Sequence, residues 1–328
     1  MSELLKTRSE LLFLYDAKNS NPNGDPLDEN KPRMDEERSV NLVTDVRLKR
    51  TVRDYLRDYK GFNGENNKDI FVKEVKTEKT DFIQTGKKRA TNFGNSKDEI
   101  YINVIDKCID VRLFGATIPL DKKGKKDGDD SEKGSSITLT GPVQFKMGRS
   151  LHPVQVNHIK GTGAFASGEG KEHAAFREEY FVMYSLIGFY GIINENAAKY
   201  TKLTNDDVTL LLDGVWNGTK NLISRSKIGQ TPRMLLKIDY KEQNFLIGDL
   251  DSYLKIIVNE NISTPEKIRD TDDYQVDLTG LVKILKQYQD KIDKINFKTD
   301  DRIFYSINGK QVKLIEALEG FNPVEMSL

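Results

Sequence analysis

The apolar residues of this 328-residue chain fall in short runs separated by polar and Gly/Pro-rich turns, and this pattern limits the possible folds most strongly. Leu11–Ala17 and Tyr180–Ile193 are typical of strands, and Thr204–Asn217 has helical spacing. Asn308-Gly309 between two apolar runs is a strong hairpin signal. Strands and helices alternate irregularly, so the sequence predicts an α+β fold and not a doubly wound sheet.

Helix boundaries are predicted where capping residues precede an apolar stripe. Thr44 is the expected N-cap of a helix whose inner face begins at Leu48 and which stops near Gly61. Thr204 and Asp207 have capping-box spacing. A later stripe predicts a helix through Leu278, Leu281, Leu285, Tyr288, Ile292 and Ile295. Further strands are predicted at Ile70–Val75, Tyr101–Ile105, Ile137–Met147 and Met234–Tyr240. We also expect an exposed mobile insertion at Pro119–Ser136 and a flexible Gly/Ser/Ala loop at His158–Glu172.

Composition narrows the class of protein. Hydrophobic residues make up 37% and charged residues 31%, which is too apolar for a disordered chain. The single cysteine, Cys108, excludes an intrachain disulfide framework and a Cys-rich zinc site. No signal peptide and no bilayer-spanning run is recognised, so we expect a cytoplasmic protein.

Charge is balanced in total but segregated along the chain. The 51 basic and 51 acidic residues cancel, so a whole-protein basic footprint is absent. Between Trp216 and Lys237 there are five Lys or Arg residues and no acid, whereas acids outnumber bases from Asp239 to Asp301. The basic strip is compatible with polyanion binding, with head-to-tail contact between copies, or with an ordinary solvated surface.

Several catalytic and metal motifs fail on context. Gly161–Ala166 fits a dinucleotide fingerprint, but the residues after it are a poor helix start. His152, His158 and His173 lack zinc-helix spacing, so loop or RNA-stacking roles are favoured. Asp69, Glu74 and Lys76 are spaced as in some metal nucleases, but such a short pattern is common by chance. No metal and no cofactor is expected.

The segment from Asn21 to Tyr55 carries the functional signal. A strand leads into the polar turn Asn21–Pro26, and this leads to a helix whose outer face bears Lys49, Arg50, Arg53 and Arg57. Loop amides, a helix N-terminus and Lys/Arg donors together form a ledge suited to phosphate. An amphipathic helix with a solvated basic face is the alternative.

Five motifs follow one another along roughly the first two-thirds of the chain: Asn21–Pro26, Pro32-Arg33 with Asp35, Leu42–Arg50, Asp110–Ala116 and Gly141–Gln144. In this order and spacing they resemble the Cas7 family, the backbone subunits of type I CRISPR Cascade complexes in the RAMP superfamily. The closest similarity is to subtypes I-B and I-C, and the C-terminal third matches only loosely.

The resemblance implies a single RRM-like (ferredoxin-like) palm over residues 1–328, an antiparallel sheet with large insertions. Residues 62–136 would form a finger-like insertion, 150–176 a thumb-like loop, and 239–328 the C-terminal part of the palm with an acidic helical region. It also implies a non-catalytic ribonucleoprotein subunit in antiviral defence. Copies would stack head to tail along the CRISPR RNA and present it to target DNA. The expected further partners are the five-prime-end cap RAMP subunit and the large subunit.

RNA contacts are expected from the ledge, from the strand leading to the thumb, from the thumb itself and from the basic strip. Gly161, Gly163 and Gly168 would serve as hinges around an apolar tip at Phe165. The predicted RNA-binding residues are Asn21, Asn23, Arg38, Arg47, Lys49, Arg50, Arg53, Gln144, Lys146, Arg149, His158, Lys160, Phe165, Arg225 and Lys227.

Two enzymatic alternatives stay open at this point. Related RAMP subunits of type III complexes cut target RNA with a loop aspartate, and Asp25 or Asp35 lies in a comparable loop. A processing endoribonuclease of the same superfamily would need a general base, and the histidines are confined to the predicted thumb region.

Overall fold

A large, mostly antiparallel sheet runs through the computed structural model, which describes residues 3–77, 80–120, 136–166 and 174–328. The strands of the first half are β1 (Ser9–Ser20), β2 (Gly24–Asp25), β3 (Lys31–Pro32), β4 (Met34–Asp35), β5 (Val40–Val43), β6 (Lys76–Thr77), β7 (Thr80–Ile83), β8 (Gly115–Pro119), β9 (Ser136–Thr140), β10 (Val143–Phe145) and β11 (Gly148–Ser150). Those of the second half are β12 (Val156–Ala166), β13 (Ala174–Ile193), β14 (Gln230–Tyr240), β15 (Lys255–Val258), β16 (Tyr274–Asp277), β17 (Ile292–Thr299), β18 (Tyr305–Ile307), β19 (Lys310–Val312) and β20 (Pro323–Glu325).

Helices lie between these strands. The α-helices are α1 (Asp45–Tyr59), α2 (Gly86–Thr91), α3 (Lys97–Lys107), α4 (Ile109–Phe114), α5 (Glu195–Thr201), α6 (Asn205–Lys220), α7 (Thr279–Gln287) and α8 (Leu314–Ala317). Short 3-10 turns occur at Leu250–Tyr253, Pro265–Lys267, Thr271–Asp273 and Gln289–Lys291. In the described ranges, no helix combines the length and the apolar character needed to cross a bilayer.

Strand β1 is the centre of the main sheet. It pairs antiparallel with β13 on one side and with β14 on the other, so that Phe13 lies opposite Phe189 and Leu235. The order through the sheet is β20-β17-β14-β1-β13-β11-β5-β4, with β10 and β12 also paired to β13. Among the described strand pairs, only β16/β18 and β17/β20 are parallel, so the fold is a mixed α/β structure in which antiparallel pairing dominates.

Both faces of β1 are buried, which explains its continuous apolar run. Phe13 and Tyr15 pack on the face covered by α1 and α6, whereas Leu12 and Leu14 pack on the face covered by the C-terminal region. Residues one apart on a strand point to opposite faces, so the alternating set fills two cores.

The close crossing of α1 and α6 fixes the position of the basic helix. A Cβ atom built on Gly214 would stand 2.9 Å from Cγ1 of Val52, and one built on Gly218 would stand 3.1 Å from Cβ of Tyr55. Contacts this short leave little room for a larger residue, so the two glycines allow the helices to approach.

The segment that follows α1 in the chain has a small hydrophobic core of its own. Phe71, Phe93, Ile100 and Val104 pack together there with the buried Cys108. Helices α2 to α4 and the β8–β9 pair surround this cluster, which lies within residues 71–139.

Most of the predicted elements are present. Thr44 caps α1 by accepting a hydrogen bond from the Arg47 amide, and Thr204 with Asp207 forms the predicted capping box of α6. Asn308 and Gly309 both have positive φ between β18 and β19, as a tight hairpin turn requires. The strands predicted at Leu11–Ala17 and Met234–Tyr240 lie within β1 and β14.

Other predictions were wrong. Ile70–Val75 is irregular, and Tyr101–Ile105 belongs to α3, where Ile100, Val104 and Ile105 form one buried face behind the Ser96 N-cap. The helix predicted through Ile295 ends at Gln287, and the remainder of that apolar stripe lies in β17, because pairing with β14 buries it in the sheet.

The predicted glycine-rich loop is also different in its first half. Residues 156–166 form strand β12, paired with β13 from Val156↔Val182 to Ala166↔Ala174. Long-range pairing with β13 therefore overrides the low strand propensity of Gly161 and Gly163. The rest of that stretch, residues 167–172, and most of the insertion predicted at Pro119–Ser136 lie outside the described residues.

Candidate nucleic-acid interface

The polar face of α1 borders a groove of about 730 Å³, which we call the helix groove. Its other walls are the turn after β1 and the insertion between α1 and β8. Seven basic side chains line it against two carboxylates, so its charge suits a polyanion. The basic residues are Arg33, Arg47, Arg50, Arg53, Arg57, Lys73 and Arg89; the acids are Asp54 and Glu74.

Hydrogen bonds fasten the turn after β1 to the start of α1. The Asn23 Oδ1 atom accepts from the amide and the hydroxyl of Thr44, both at 2.9 Å. The Thr44 hydroxyl in turn accepts from the Arg47 amide at 3.2 Å. Asn23 therefore positions the first turn of the helix. In the predicted ledge its side chain holds the loop against the helix.

Neighbouring cations on α1 differ in access. The Arg50 side chain is 54% exposed, lines the helix groove and pairs with Asp54 at 2.8 Å. The Lys49 side chain is 12% exposed and faces away from that groove, between Asp45 and the Oε1 atom of Gln144. Of the two residues that the family resemblance assigned to phosphate, only Arg50 has an open side chain on the groove.

Arg53 has an internal partner. Its Nε atom donates to the buried carboxylate of Asp110 at 3.0 Å, and its guanidinium lies 5.1 Å from the ring centroid of Phe114. Asp110 also accepts from the amides of Phe71 and Val72. Arg53 therefore joins α1 to the insertion.

Arg47 and Lys227 lack acidic partners in the described part of the chain. The Lys227 ammonium donates to the carbonyl oxygens of Asn21 at 2.5 Å and Pro22 at 3.2 Å. Burial and, second, the nearby charge of Arg47 lower the pKa of Lys227 to about 8. Burial likewise lowers the pKa of Arg47, although the nearby Tyr15 and Asp54 oppose this.

A second groove, of about 390 Å³, lies between the turn after β1 and the β12–β13 pair, and we call it the ribbon groove. Its walls include Asn157, Ile159, Tyr180 and Arg225.

Beside this groove, the His158 ring stacks on the Tyr180 ring at 4.2 Å between centroids, with 5° between their planes. The Lys31 ammonium lies 5.3 Å from the Tyr180 centroid. Stacked rings beside cations suit single-stranded nucleic acid, whose bases offer flat faces.

Other predicted site residues, on the β12–β13 pair (the ribbon) and on the loop before β14, are ion-paired. Lys160 lies 3.0 Å from Glu178, and Arg225 lies 3.2 Å from Glu179. Both basic side chains are more than 60% exposed, so the pairs are of the weak surface kind. The side chain of Phe165 lies outside the described residues.

A third set of predicted residues lies away from both groove linings. Lys146 pairs with Asp249 and Asp251, and Arg149 pairs with Asp35 at 3.2 Å. Gln144, on β10, lies beside Lys49 of α1. Arg38 is exposed in the turn between β4 and β5.

The buried Asn21 side chain donates to the Asn30 carbonyl, so it holds the turn. Sequence alone does not reveal the pairings of Lys146, Arg149 and Gln144, because their partners are distant along the chain.

Two predictions about charge and histidine were wrong. His152 is 3% exposed and its Nε2 atom accepts from the Leu186 amide at 3.2 Å, so it is not a surface histidine. Burial lowers the pKa of His152 to about 4. The predicted basic strip is broken because Arg233 pairs internally with Asp16 and Asp300, and Lys237 with Asp239.

The predicted RNA-binding residues do not include Arg33, Arg57 or Tyr180, although the sequence analysis placed Arg57 on the basic face of the helix. Arg33 stands in the Pro32-Arg33 word, and Arg57 continues the polar face of α1, so both had a signal. Tyr180 becomes visible only through the register that places it opposite His158.

The acidic residues of the enzymatic alternatives are paired as well. Asp25 accepts from Arg33 at 2.8 Å, Asp35 pairs with Arg149, and Asp69 lies between Arg89 and Lys73. Within the described ranges, no cluster of three or more His, Cys, Asp or Glu residues is arranged to hold a metal ion.

Comparison with known proteins gives consistent results. The family model described as "CRISPR-associated protein Cas7" matches residues 7–279. A "CRISPR-associated protein Cas7" of Haloferax volcanii is 32% identical over 322 residues, covering 94% of this chain and 92% of that protein.

Two solved structures are similar across nearly the whole chain. One is titled "CRISPR RNA-guided surveillance complex, pre-nicking" and has a TM-score of 0.54 at 10% identity, covering 98% of this chain and 96% of that chain. The other is titled "CRISPR RNA-guided surveillance complex" and has a TM-score of 0.50 at 12% identity, covering 98% and 95%. At these identities the likeness concerns the fold.

Proposed function

Because the chain belongs to the Cas7 family of CRISPR-associated proteins, we propose that it is a crRNA-binding backbone subunit of a type I Cascade complex. Copies polymerise head to tail along the guide RNA in the cytoplasm and present it for pairing with target DNA in antiviral defence. The five-prime-end cap RAMP subunit and the large subunit are its further partners. The similarity of the motif words to subtypes I-B and I-C supports that branch.

The observation that carries this proposal is the helix groove. A subunit that must accept any guide has to contact phosphate and sugar and leave the base edges free. The groove offers guanidinium groups on a helix whose position is fixed. Arg50 has a more exposed side chain than Lys49 or Arg53 on the same helix. The Asn23–Thr44 contact, which fastens turn to helix, keeps this surface in place.

The palm is proposed to be RRM-like. Strand β1, helix α1, strand β13, helix α6 and strand β14 follow in that order along the chain. With β11 and β5 beyond β13, the spatial order β14-β1-β13-β11 supports the four-stranded arrangement of a ferredoxin-like sheet, with α1 and α6 covering one face.

The insertions take the roles of fingers and thumb in this proposal. The separate core within residues 71–139 supports a finger-like unit at 62–136. The paired strands β12 and β13 extend from the sheet and support a thumb at 150–176. Residues 239–328 complete the palm through β17 and β20 and add the sheet β15-β16-β18-β19.

The proposed role is not enzymatic. The competing function is a guided ribonuclease that uses Asp25 or Asp35. Both carboxylates are ion-paired to arginines, which favours a structural role. Incubating the assembled complex with complementary RNA and Mg²⁺ tests this: we expect uncut RNA. Periodic cleavage that is abolished by Asp25→Ala or Asp35→Ala would establish the ribonuclease instead.

Co-purification with RNA tests the proposed function itself. The protein, expressed with its partner subunits and a CRISPR array, should carry RNA of uniform length. A matched expression without the array should yield protein without that RNA. Protein free of RNA, or RNA of random length in both samples, would contradict the proposal.

A further inference from the structure

Two cations without acidic partners meet beneath the turn that separates the two grooves. Arg47 lines the helix groove, and the loop that carries Lys227 also carries Arg225 and Ser226, which line the ribbon groove. The turn residues between them belong to both walls, since Asn21 lines one groove and Asn23 lines the other. The two grooves therefore share the turn as a wall, and the Lys227 ammonium is hydrogen-bonded to the Asn21 and Pro22 carbonyls of that turn.

Buried cations are normally paired, because removing a charge from water is costly. Neither Arg47 nor Lys227 forms an ion pair with a described residue, and the Arg47 side chain makes no hydrogen bond there. Their charges are also close enough that Arg47 helps to lower the pKa of Lys227. Two such cations side by side repel each other, and an anion between them would remove the repulsion.

Unsatisfied polar atoms concentrate in the same place. Six buried side-chain polar atoms of the described residues lack a hydrogen-bond partner, and four of them belong to the end of β1, the turn after it, the link between β3 and β4, and α1. These four are Ser20 Oγ, Asn21 Oδ1, Arg33 Nε and Arg47 Nε. Buried polar groups are usually satisfied, so this region lacks a polar partner.

We propose that Arg47 and Lys227 together hold one phosphate group of a bound single-stranded RNA where the two grooves meet. We call this phosphate site the seat; it rests on the proposed function and specifies one contact of the RNA-binding surface. Lys227 also holds the turn through the Asn21 and Pro22 carbonyls, so the same ammonium links the phosphate to the ledge.

This seat makes RNA binding sensitive to pH. Without RNA, Lys227 loses its proton near pH 8. A phosphate beside it favours the charged form and raises its pKa, so binding at higher pH requires proton uptake. Restoring an ordinary lysine pKa of about 10.4 would weaken binding about tenfold between pH 7 and pH 9.

The neighbouring charged groups do not account for such a change. Arg47 stays charged throughout this range. Burial raises the pKa of Tyr15 far above it. Arg33 is paired with Asp25, and Arg225 with Glu179.

The test measures the dissociation constant of a fluorescent single-stranded RNA at pH 7 and pH 9 and at constant ionic strength. The full-length chain is compared with Lys227→Arg, which keeps a charge at both pH values, and with Lys227→Met, which has none. Lys310→Met, at an exposed lysine of the β18–β19 hairpin, is the matched control.

The wild type and Lys310→Met should bind about tenfold more weakly at pH 9 than at pH 7. Lys227→Arg should bind equally at both, which excludes the N-terminal amine as the source, and Lys227→Met should bind weakly at both. Binding by the wild type that does not change with pH, or a full pH effect in Lys227→Arg, would overturn the seat while leaving the RNA-binding function intact. Absence of RNA binding by the wild type at either pH would overturn both.

Discussion

At the scale of single residues, the difference between Arg50 and Lys49 shows how the fold selects among equivalent charges. The two are adjacent in sequence, but a helix turns by 100° per residue, so they face different surroundings. Arg50 opens on the helix groove, while Lys49 is enclosed by Asp45, Gln144 and Phe114. The sequence could predict the basic helix, but it could not predict which cation is enclosed, because Gln144 and Phe114 are distant along the chain.

This difference gives a paired prediction. Arg50→Ala should weaken binding of single-stranded RNA severalfold and reduce the slope of log affinity against log salt by about 0.7, the loss of one phosphate contact. Lys49→Ala should leave that slope unchanged. Fluorescence anisotropy titrations at several salt concentrations measure both. Equal losses of slope in the two variants would mean that the helix groove is not the RNA surface.

His152 gives a prediction about stability. Its pKa is lowered from 6.5 to about 4 in the folded protein, so the unfolded chain binds the proton more strongly. The stabilisation is complete above pH 6.5 and is lost as the pH falls toward 4, by on the order of 3 kcal/mol.

Chemical unfolding of the wild type and His152→Gln at pH 7 and pH 4.5 measures the effect. We expect the free energy of unfolding to fall more steeply with pH in the wild type than in the variant. Parallel pH profiles of the two proteins would show that His152 binds its proton equally well in the folded and unfolded chains, so that burial does not lower its pKa.

At the scale of elements, the connection between α1 and the insertion depends on one buried carboxylate. Asp110 is fully buried and accepts from Phe71, Val72 and Arg53. The insertion thereby forms the wall of the helix groove opposite α1. One of the family motifs contains this aspartate, but its hydrogen bonds join segments about forty and sixty residues apart, which local patterns do not encode.

Asp110→Asn should therefore destabilise the protein by about 3 kcal/mol or more, because it leaves Arg53 buried without its counter-charge. Asp58→Asn, at an exposed carboxylate paired with Arg57, should cost about 1 kcal/mol or less. Thermal unfolding compares the two. Similar midpoints for both variants would show that Asp110 does not hold the insertion against α1.

Local signals predicted elements well where the chain itself supplies the stabilising contact. Thr44, Thr204 with Asp207, and Asn308-Gly309 act on backbone within a few residues, and all three predictions are confirmed. The failures at Tyr101–Ile105 and at β12 concern segments that pack on other parts of the molecule: α3 buries Ile100, Val104 and Ile105, and β12 pairs with β13. Apolar and β-branched residues serve a buried helix face and a strand equally well, so composition does not separate the two.

At the scale of the whole molecule, one sheet with two buried faces carries every part of the proposed RNA surface. β1 ends at the turn, α1 packs on one face, and β13 continues into the ribbon. The α+β class was predictable from the alternation of elements. The positions of the two grooves depend on how the insertion and the ribbon return to the sheet, and these are long-range contacts.

The ribbon gives a prediction at this scale. Deleting residues 161–170 should leave the main sheet and its thermal unfolding largely unchanged, because β12 pairs with β13 outside the main strand order of the sheet. The family resemblance implies that each thumb pushes one nucleotide of the guide out of line at regular intervals. In assembled complexes the deletion should abolish this spacing, which chemical probing of the bound RNA detects. Regular spacing that persists in the deletion variant would mean that this ribbon is not the thumb.

The most direct test of the central claim measures how affinity depends on RNA sequence and on salt. The full-length protein is titrated with two single-stranded RNAs of equal length and unrelated sequence, at a series of salt concentrations. If the groove along α1 holds the sugar-phosphate chain, both RNAs should bind within about threefold of each other, with the same negative slope of about 0.7 per phosphate contact in log affinity against log salt. Strong preference for one sequence, or an affinity that does not change with salt, would contradict it.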